Sequence, residues 1–264
     1  MEQIQNNRVI TDLYRENAQF PGIALDGSDV YLCWQRFVDR HDSLMASCRR
    51  GDEVVWEREI SDGGEVLHPV ILAHGGAIWY AWSEYARENW RILARCYRDG
   101  QWGEVLTVAS GEALFFPRLF TWQGRLHIIW TEQHKGSAAA VLCPLTEAGP
   151  GAAETVSVVG EAYRAGAAEG GDGNLYVAYD GFDGKQYKLF ARARTAAGWS
   201  EEIVVSQGED WASTPWIAAK PDGAVVGWYD YGYMAVYSVR SADLTVRDGA
   251  LAAVNPQCLK EGVD

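Results

Sequence analysis

The chain has 264 residues and a formal net charge of −13, from 23 Lys and Arg against 36 Asp and Glu. That balance argues against nucleic acid or anionic membrane as partners, since both require positive patches. No apolar run approaches the ~20 residues that span a bilayer, and Met1-Glu2-Gln3-Ile4-Gln5 lacks the basic and apolar regions of a secretory leader. A cytoplasmic protein is therefore expected if Met1 is the native start.

In chain order, Arg8-Val9-Ile10-Thr11 comes first. It stands at the same offset before Pro21 as Glu104-Val105-Leu106-Thr107 before Pro117. It reads as an outer strand that completes the last unit of the fold. Pro21, Pro69 and Pro117 then open equivalent segments 48 residues apart, and further copies open at Arg164 and Pro215. A fixed period of strand-like runs predicts an all-β fold, a β-propeller of about five four-stranded blades forming a single domain over 1–264.

Each copy has the same grammar. After the proline comes an apolar inner strand, as in Val70-Ile71-Leu72-Ala73. A Gly- or Asp-bearing turn follows, such as Asp26-Gly27 or Gly75-Gly76, which supplies the positive φ a tight hairpin needs. The second strand is apolar on both faces and ends in an aromatic: Val30 to Trp34, Ile78 to Trp82, Leu126 to Trp130, Leu175 to Tyr179, Ala224 to Trp228. Such runs suit strands sandwiched between neighbouring blades. A third strand follows, such as Arg91 to Cys96. A partly alternating outer strand closes the unit: Val54 to Glu57, Trp102 to Leu106, Trp199 to Val205. In the last copy, Leu251-Ala252-Ala253-Val254 is a rival for the outer position, with 255–264 as a tail. That rival reading makes the chain an open five-blade piece of a larger ring.

Five cysteines (Cys33, Cys48, Cys96, Cys143, Cys258) leave at least one thiol free in the monomer. Cys48 and Cys96 hold the same place in adjacent copies, too far apart for a disulfide. They read as small apolar fillers in a reducing compartment. No Cys/His cluster suggests a metal, and no cofactor motif is present.

In a propeller, the loop before the inner strand and the loop after the second strand open on one face, around the central channel. After the second strand stand Arg36, Glu84 with Tyr85, Glu132 with His134, Asp180, and Asp230 with Tyr231. Before the inner strand stand Phe20, His68, Phe115-Phe116, Tyr163 and Trp211. Carboxylates hydrogen-bond hydroxyls and aromatic faces stack on sugar rings, so this mouth suits a glycan or another small polar ligand. A role shared by every blade points to structure, so residues that break the repeat carry more weight: Arg36, His68, His134, Trp211, Tyr231. With Tyr85 and Asp180 these are the ligand-binding candidates. Glu84, Glu132 and Asp230 are the candidate catalytic carboxyls, because glycoside hydrolysis needs two, about 5–5.5 Å apart for retention and about 6.5–9.5 Å for inversion. No Gly-x-Ser-x-Gly, His-Glu-x-x-His, Walker or dinucleotide motif occurs.

Ile78-Trp79-Tyr80-Ala81-Trp82, followed by Ala94-Arg95-Cys96-Tyr97-Arg98-Asp99-Gly100-Gln101-Trp102, resembles the sialidase-like (BNR-type) propellers. The second stretch is similar to a worn Asp-box turn, with Tyr97 in the place of the serine. A looser resemblance is to tandem-repeat propeller lectins. Sialidases hold a substrate carboxylate with three arginines. Here only Arg36 immediately follows a second-strand aromatic, Arg164 is the next best placed, and five copies replace the usual six blades. The resemblance implies a glycan ligand. Three functions follow as expectations: a binding module, a carbohydrate-active enzyme, or a protein-interaction scaffold.

Overall fold

The computed structural model describes residues 17–61, 63–232 and 237–263. They form five antiparallel sheets, each a blade whose strands run in sequence order from the inside outward, and no helix. Blade 1 is Asn17–Asp26, Asp29–Val38, His41–Arg50 and Glu53–Glu59. Blade 2 is Glu65–His74, Ala77–Ala86 and Asn89–Arg98, with an outer edge of Gln101–Trp102 and Leu106–Gly111. Blade 3 is Ala113–Trp122, Arg125–His134 and Ser137–Thr146, edged by Gly149–Pro150 and Glu154–Thr155. Blade 4 is Ala162–Glu169, Leu175–Phe182 and Tyr187–Thr195, edged by Gly198–Trp199 and Ile203–Val204. Blade 5 is Trp211–Lys220, Gly223–Tyr231, Tyr237–Arg247 and Ala250–Val263. The expected propeller is the observed fold.

Two details differ from the sequence reading. In blades 2 to 4 the outer strand is split rather than continuous. After each short first piece the chain steps out of the ladder, and one amide returns to the third strand: Gly103 to Cys96, Gly151 to Pro144, Ser200 to Ala193. A Cβ on Gly103 would lie 2.9 Å from Cys96 Sγ, so the step needs glycine there. Second, the outer strand of blade 5 is Ala250–Val263, which pairs with Tyr237–Arg247. The tight turn at Asp248-Gly249, both at positive φ, returns the chain alongside its own third strand. The supposed tail is thus strand. Arg8–Thr11, expected at this edge, lies outside the described residues.

The second strands alternate sides, as a strand covered on both faces must. In blade 2, Ile78, Tyr80 and Trp82 face blade 1, where they meet Tyr31, Cys33 and Ala46. Trp79 and Ala81 face blade 3, against Ile128 and Trp130. Ile129 and Leu142 meet Val177 and Tyr179 in the next seam, and Tyr176 and Ala178 meet Val226 and Trp228 in the last. The strand-ending aromatics Trp82, Trp130, Tyr179 and Trp228 are therefore seam core. Four cysteines are buried in the same layers and Cys258 is exposed. No such cluster joins blade 5 to blade 1 among the described residues. On the outer flank of blade 5, Asp243 holds the place that Cys96 holds in blade 2, opposite Val225 as Cys96 is opposite Trp79. It pairs with Lys220 at 2.8 Å and accepts from Asn255 at 3.0 Å. That polar cap suits the end of a repeat array.

Candidate functional site

Every inner strand slips its register at one point: between Gln19 and Gly22, Leu67 and Val70, Phe115 and Arg118, Tyr163 and Gly166, Ser213 and Trp216. The first residue inside each slip is left-handed: Phe20 at φ 52°, His68 at 53°, Phe116 at 55°, Arg164 at 43° and Thr214 at 55°. In four blades a proline comes next. It has no N–H to lose from the ladder, so it tolerates the bulge. Bulky residues rarely adopt this backbone, and each instance costs on the order of 1–3 kcal/mol. Because all five blades carry the bend, the bend belongs to the fold. What varies is the side chain it aims into the channel: Phe, His, Phe, Arg, Thr.

Those side chains, with Pro21, Pro69, Pro117, Val70 and Arg118, line a central cavity of about 300 Å³. Phe20 packs edge-on to His68 at 5.0 Å between ring centres, and His68 lies 4.2 Å from Phe116. The Arg164 guanidinium stands 5.8 Å over the Phe116 ring. Arg164 Nε donates to Asp180 Oδ2 at 2.8 Å, and its amide donates to Thr131 Oγ1 at 3.2 Å. Asp180 is fully buried. Burial pushes its carboxyl up from the ordinary value, and Arg164 opposes that push. Burial works against charge on Arg164, but Asp180 outweighs it and leaves the guanidinium's pKa raised.

Arg118 differs. It lines the channel cavity but is exposed to solvent, has no ion pair among the described residues, and partial desolvation lowers its pKa. An arginine starts so far above neutral that it stays charged. Burial, and then the nearby Arg118, push His68 down to about 4, so it is neutral at pH 7. Its Nδ1 is buried without a partner. The cavity thus offers one uncommitted cation, one committed cation, a neutral imidazole and two phenyl faces. That set favours a compact anion with an apolar face.

The catalytic candidates sit elsewhere. Glu84 is buried and accepts from Trp82 Nε1 at 3.2 Å and from Arg91, its cross-strand partner. Asp230 accepts from Trp228 Nε1 at 2.7 Å and pairs with Arg240 at 2.5 Å. Burial raises its pKa. In blades 2 and 5 the Trp-x-acid pattern is therefore a seam device, in which the carboxylate satisfies a buried indole N–H and an arginine balances it, whereas in blade 3 Trp130 Nε1 is buried without a partner. Glu132 is exposed and opens on a separate hollow with His134. None of the three lines the central cavity.

Among the ligand candidates, His68 lines the cavity and Asp180 braces its wall. Arg36 pairs with Glu59 at 3.2 Å on blade 1. Tyr85 joins Arg40, His41, Glu84 and Arg91 around a larger hollow of about 570 Å³ at the seam of blades 1 and 2. His134 is exposed and pairs with Glu112 at 3.0 Å. Trp211 and Tyr231 flank a hollow of about 330 Å³ with Glu209 and Asp210. The candidates thus fall into several groups rather than one. Arg118 escaped the sequence reading because it follows the repeat proline, inside the inner strand, whereas site residues were sought in the loops before the inner strand and after the second. Its signal was a cation at a position held elsewhere by Gly22, Val70, Gly166 and Trp216.

No family model and no curated protein sequence matches the chain. Solved structures do. An α-L-arabinofuranosidase from Lactobacillus brevis aligns over 90% of this chain and 94% of its own, at 10% identity and a TM-score of 0.53. A puromycin-hydrolyzing peptidase from Mycobacterium tuberculosis aligns over 91% of this chain at 17% identity and a TM-score of 0.57, but over only 37% of its own length. A bifunctional GH43-CE protein from Bacteroides eggerthii aligns over 93% of this chain and 35% of its own, at 12% identity and a TM-score of 0.52. At such identities these likenesses establish the architecture alone, and the chain stands as a five-bladed β-propeller.

Proposed function

We propose that this propeller is a binding module that takes a small, negatively charged polar ligand, an acidic sugar, in its central channel. The observation that carries the reading is Arg118, a cation without an ion-pair partner among the described residues, in a cavity walled by Phe20, His68 and Phe116. A carboxylate takes the guanidinium fork, and the rings take the apolar face of a pyranose. That a sugar-acting protein by name, the arabinofuranosidase, shares the architecture is consistent with this ligand class. Binding is favoured over hydrolysis because hydrolysis needs two carboxyls at the ligand. Among the described residues the cavity lining holds none, and Asp180 behind it is committed to Arg164.

The test is calorimetric titration of the chain with glucuronate, galacturonate and their neutral parent sugars. The acids are expected to bind at least tenfold tighter, and Arg118→Ala is expected to remove that preference, as loss of a hydrogen bond to a charged group implies. Equal binding of neutral sugars, or an Arg118→Ala variant that still prefers acids, overturns the reading.

A further inference from the structure

A second group of aromatic rings lies outside the cavity. From Tyr187, ring contacts run to Trp211 (5.4 Å between centres), Tyr231 (5.9 Å), Tyr237 (5.5 Å), Tyr229 (6.4 Å) and Trp216 (4.7 Å). Trp211, Tyr237, Tyr229 and Trp216 are 41%, 49%, 38% and 45% exposed. Most sit where strands begin or end at the mouth: Trp211 opens the inner strand of blade 5, Tyr231 ends the second and Tyr237 opens the third. The related series at the seam of blades 2 and 3, Tyr85 to Trp90 to Phe115, is half-buried and merges with Phe116 in the cavity wall. One series is packed into the mouth, while the other is presented to water.

Large exposed rings in contact with each other cost hydration free energy unless something covers them. The row is also continuous with the channel. It begins beside Tyr163, which precedes cavity-lining Arg164, and it ends at Trp216, two residues beyond cavity-lining Thr214. Polar acceptors flank it, since Glu209 and Asp210 share a hollow of about 330 Å³ with Trp211 and Tyr231. Carboxylates accept hydrogen bonds from neutral sugar hydroxyls and repel further acids. The charge pattern therefore has a polarity, cationic in the channel and anionic along the row.

Resting on the channel reading above, we infer that the row on blades 4 and 5 is a run of subsites for an extended oligosaccharide, whose single acidic end unit occupies the channel and whose neutral units stack on Trp211, Tyr231, Tyr237 and Trp216. The ligand is then a chain with one charged end rather than a free acidic monosaccharide.

The experiment is a length series on the full chain, read by calorimetry and by quenching of tryptophan fluorescence. The probes are glucuronate, neutral di-, tetra- and hexasaccharides capped by one glucuronate, the uncapped hexasaccharide, and a proline-rich peptide. Affinity is expected to rise roughly tenfold or more from monomer to capped hexamer, given stacking on several rings. Trp211→Ala with Trp216→Ala should abolish that gain and leave glucuronate binding unchanged. Both positions are over two-fifths exposed, so the fold should tolerate the change, and Trp211→Phe should retain most of the gain. Affinity independent of length, or a gain that survives the double variant, overturns the row while the channel reading stands. Failure of glucuronate with Trp-dependent binding of the uncapped hexamer overturns the channel and the polarity together. Binding of the peptide in place of every sugar overturns both.

Discussion

Arg164→Ala offers the sharpest test of how the channel is built. In the native chain Asp180 is fully buried and its Oδ2 is held by the Arg164 guanidinium. Removing the arginine leaves a buried carboxylate without its cation, a change that typically costs about 3–5 kcal/mol. The Arg164 side chain is 34% exposed, so water already screens part of the pair, and the lower end, about 3 kcal/mol, is expected at neutral pH. For a chain of this size that corresponds to a fall of roughly 6–10 °C in Tm. The pH dependence follows from the sign of the shift. Burial holds the folded pKa of Asp180 above its unfolded value, and loss of Arg164 removes the force that opposes this. The folded variant then binds a proton at higher pH than the unfolded chain does. Its stability is greatest below the unfolded carboxylate value, about 4, and is lost as pH rises through the folded value. The deficit against the native chain should therefore shrink on acidification. Asp180→Asn in the Arg164→Ala background should recover much of the deficit at neutral pH. Urea unfolding of the four proteins from pH 4.5 to 7.5 measures this. A deficit below about 1 kcal/mol at neutral pH, or one that ignores pH, refutes the view that Arg164 serves Asp180.

Other predictions concern the same layers. His68, pushed down to about 4, is neutral when folded and protonates near 6.5 when unfolded, so its share of stability is lost as pH falls through that window. His68→Phe should flatten the loss, and chemical denaturation at pH 7, 5.5 and 4.5 reads it. Glu84→Gln and Asp230→Asn should lower Tm without changing glucuronate affinity, because both carboxylates serve seam tryptophans; an affinity loss without a Tm change would restore a ligand role. Gly22→Ala should cost about 1–3 kcal/mol, because its Cβ would lie 2.8 Å from Cys33 Sγ and 3.0 Å from Ile71 Cγ2 in the seam of blades 1 and 2. Thiol titration of the native protein should count one fast group, Cys258, and five after unfolding. Burial pushes Cys33 up to about 12 and Cys143 up to about 11, which suppresses their thiolates.

The architecture was legible in the sequence because the repeat is carried by packing. Ile78 to Trp82 must be apolar on both faces to lie between two blades, and the Gly75-Gly76 turn must reach positive φ, at 58° and 73°. The site was harder to read. A Trp-x-acid pattern looks alike whether the acid serves a ligand or the tryptophan, and only the indole contacts of Glu84 and Asp230 separate the two. Arg118 was hidden by its place in the repeat. It directly follows the register slip between Phe115 and Arg118, where the equivalent Gly22 and Gly166 face Ile71 and Ile217 of the next blade, so a seam side chain is expected there, yet the Arg118 side chain joins the cavity lining.

That slip also accounts for why one fold can carry an unusual lining. Strain at a lone residue invites a functional explanation, yet here the same left-handed bend recurs at Phe20, His68, Phe116, Arg164 and Thr214. A cost spread evenly over five blades is a property of the scaffold, offset by the seams that fix each inner strand. The side chain at the bend can then vary, because it lines the channel rather than a seam between blades. Phe, His, Phe, Arg and Thr in sequence make an asymmetric channel out of symmetric backbone. The asymmetry, and not the strain, is what a ligand can recognise. It predicts that exchanging side chains at Phe20, Phe116 or Thr214 should alter binding far more than folding, Arg164 standing apart because it also balances Asp180, whereas exchanging the seam residues Trp82 or Trp130 should do the reverse.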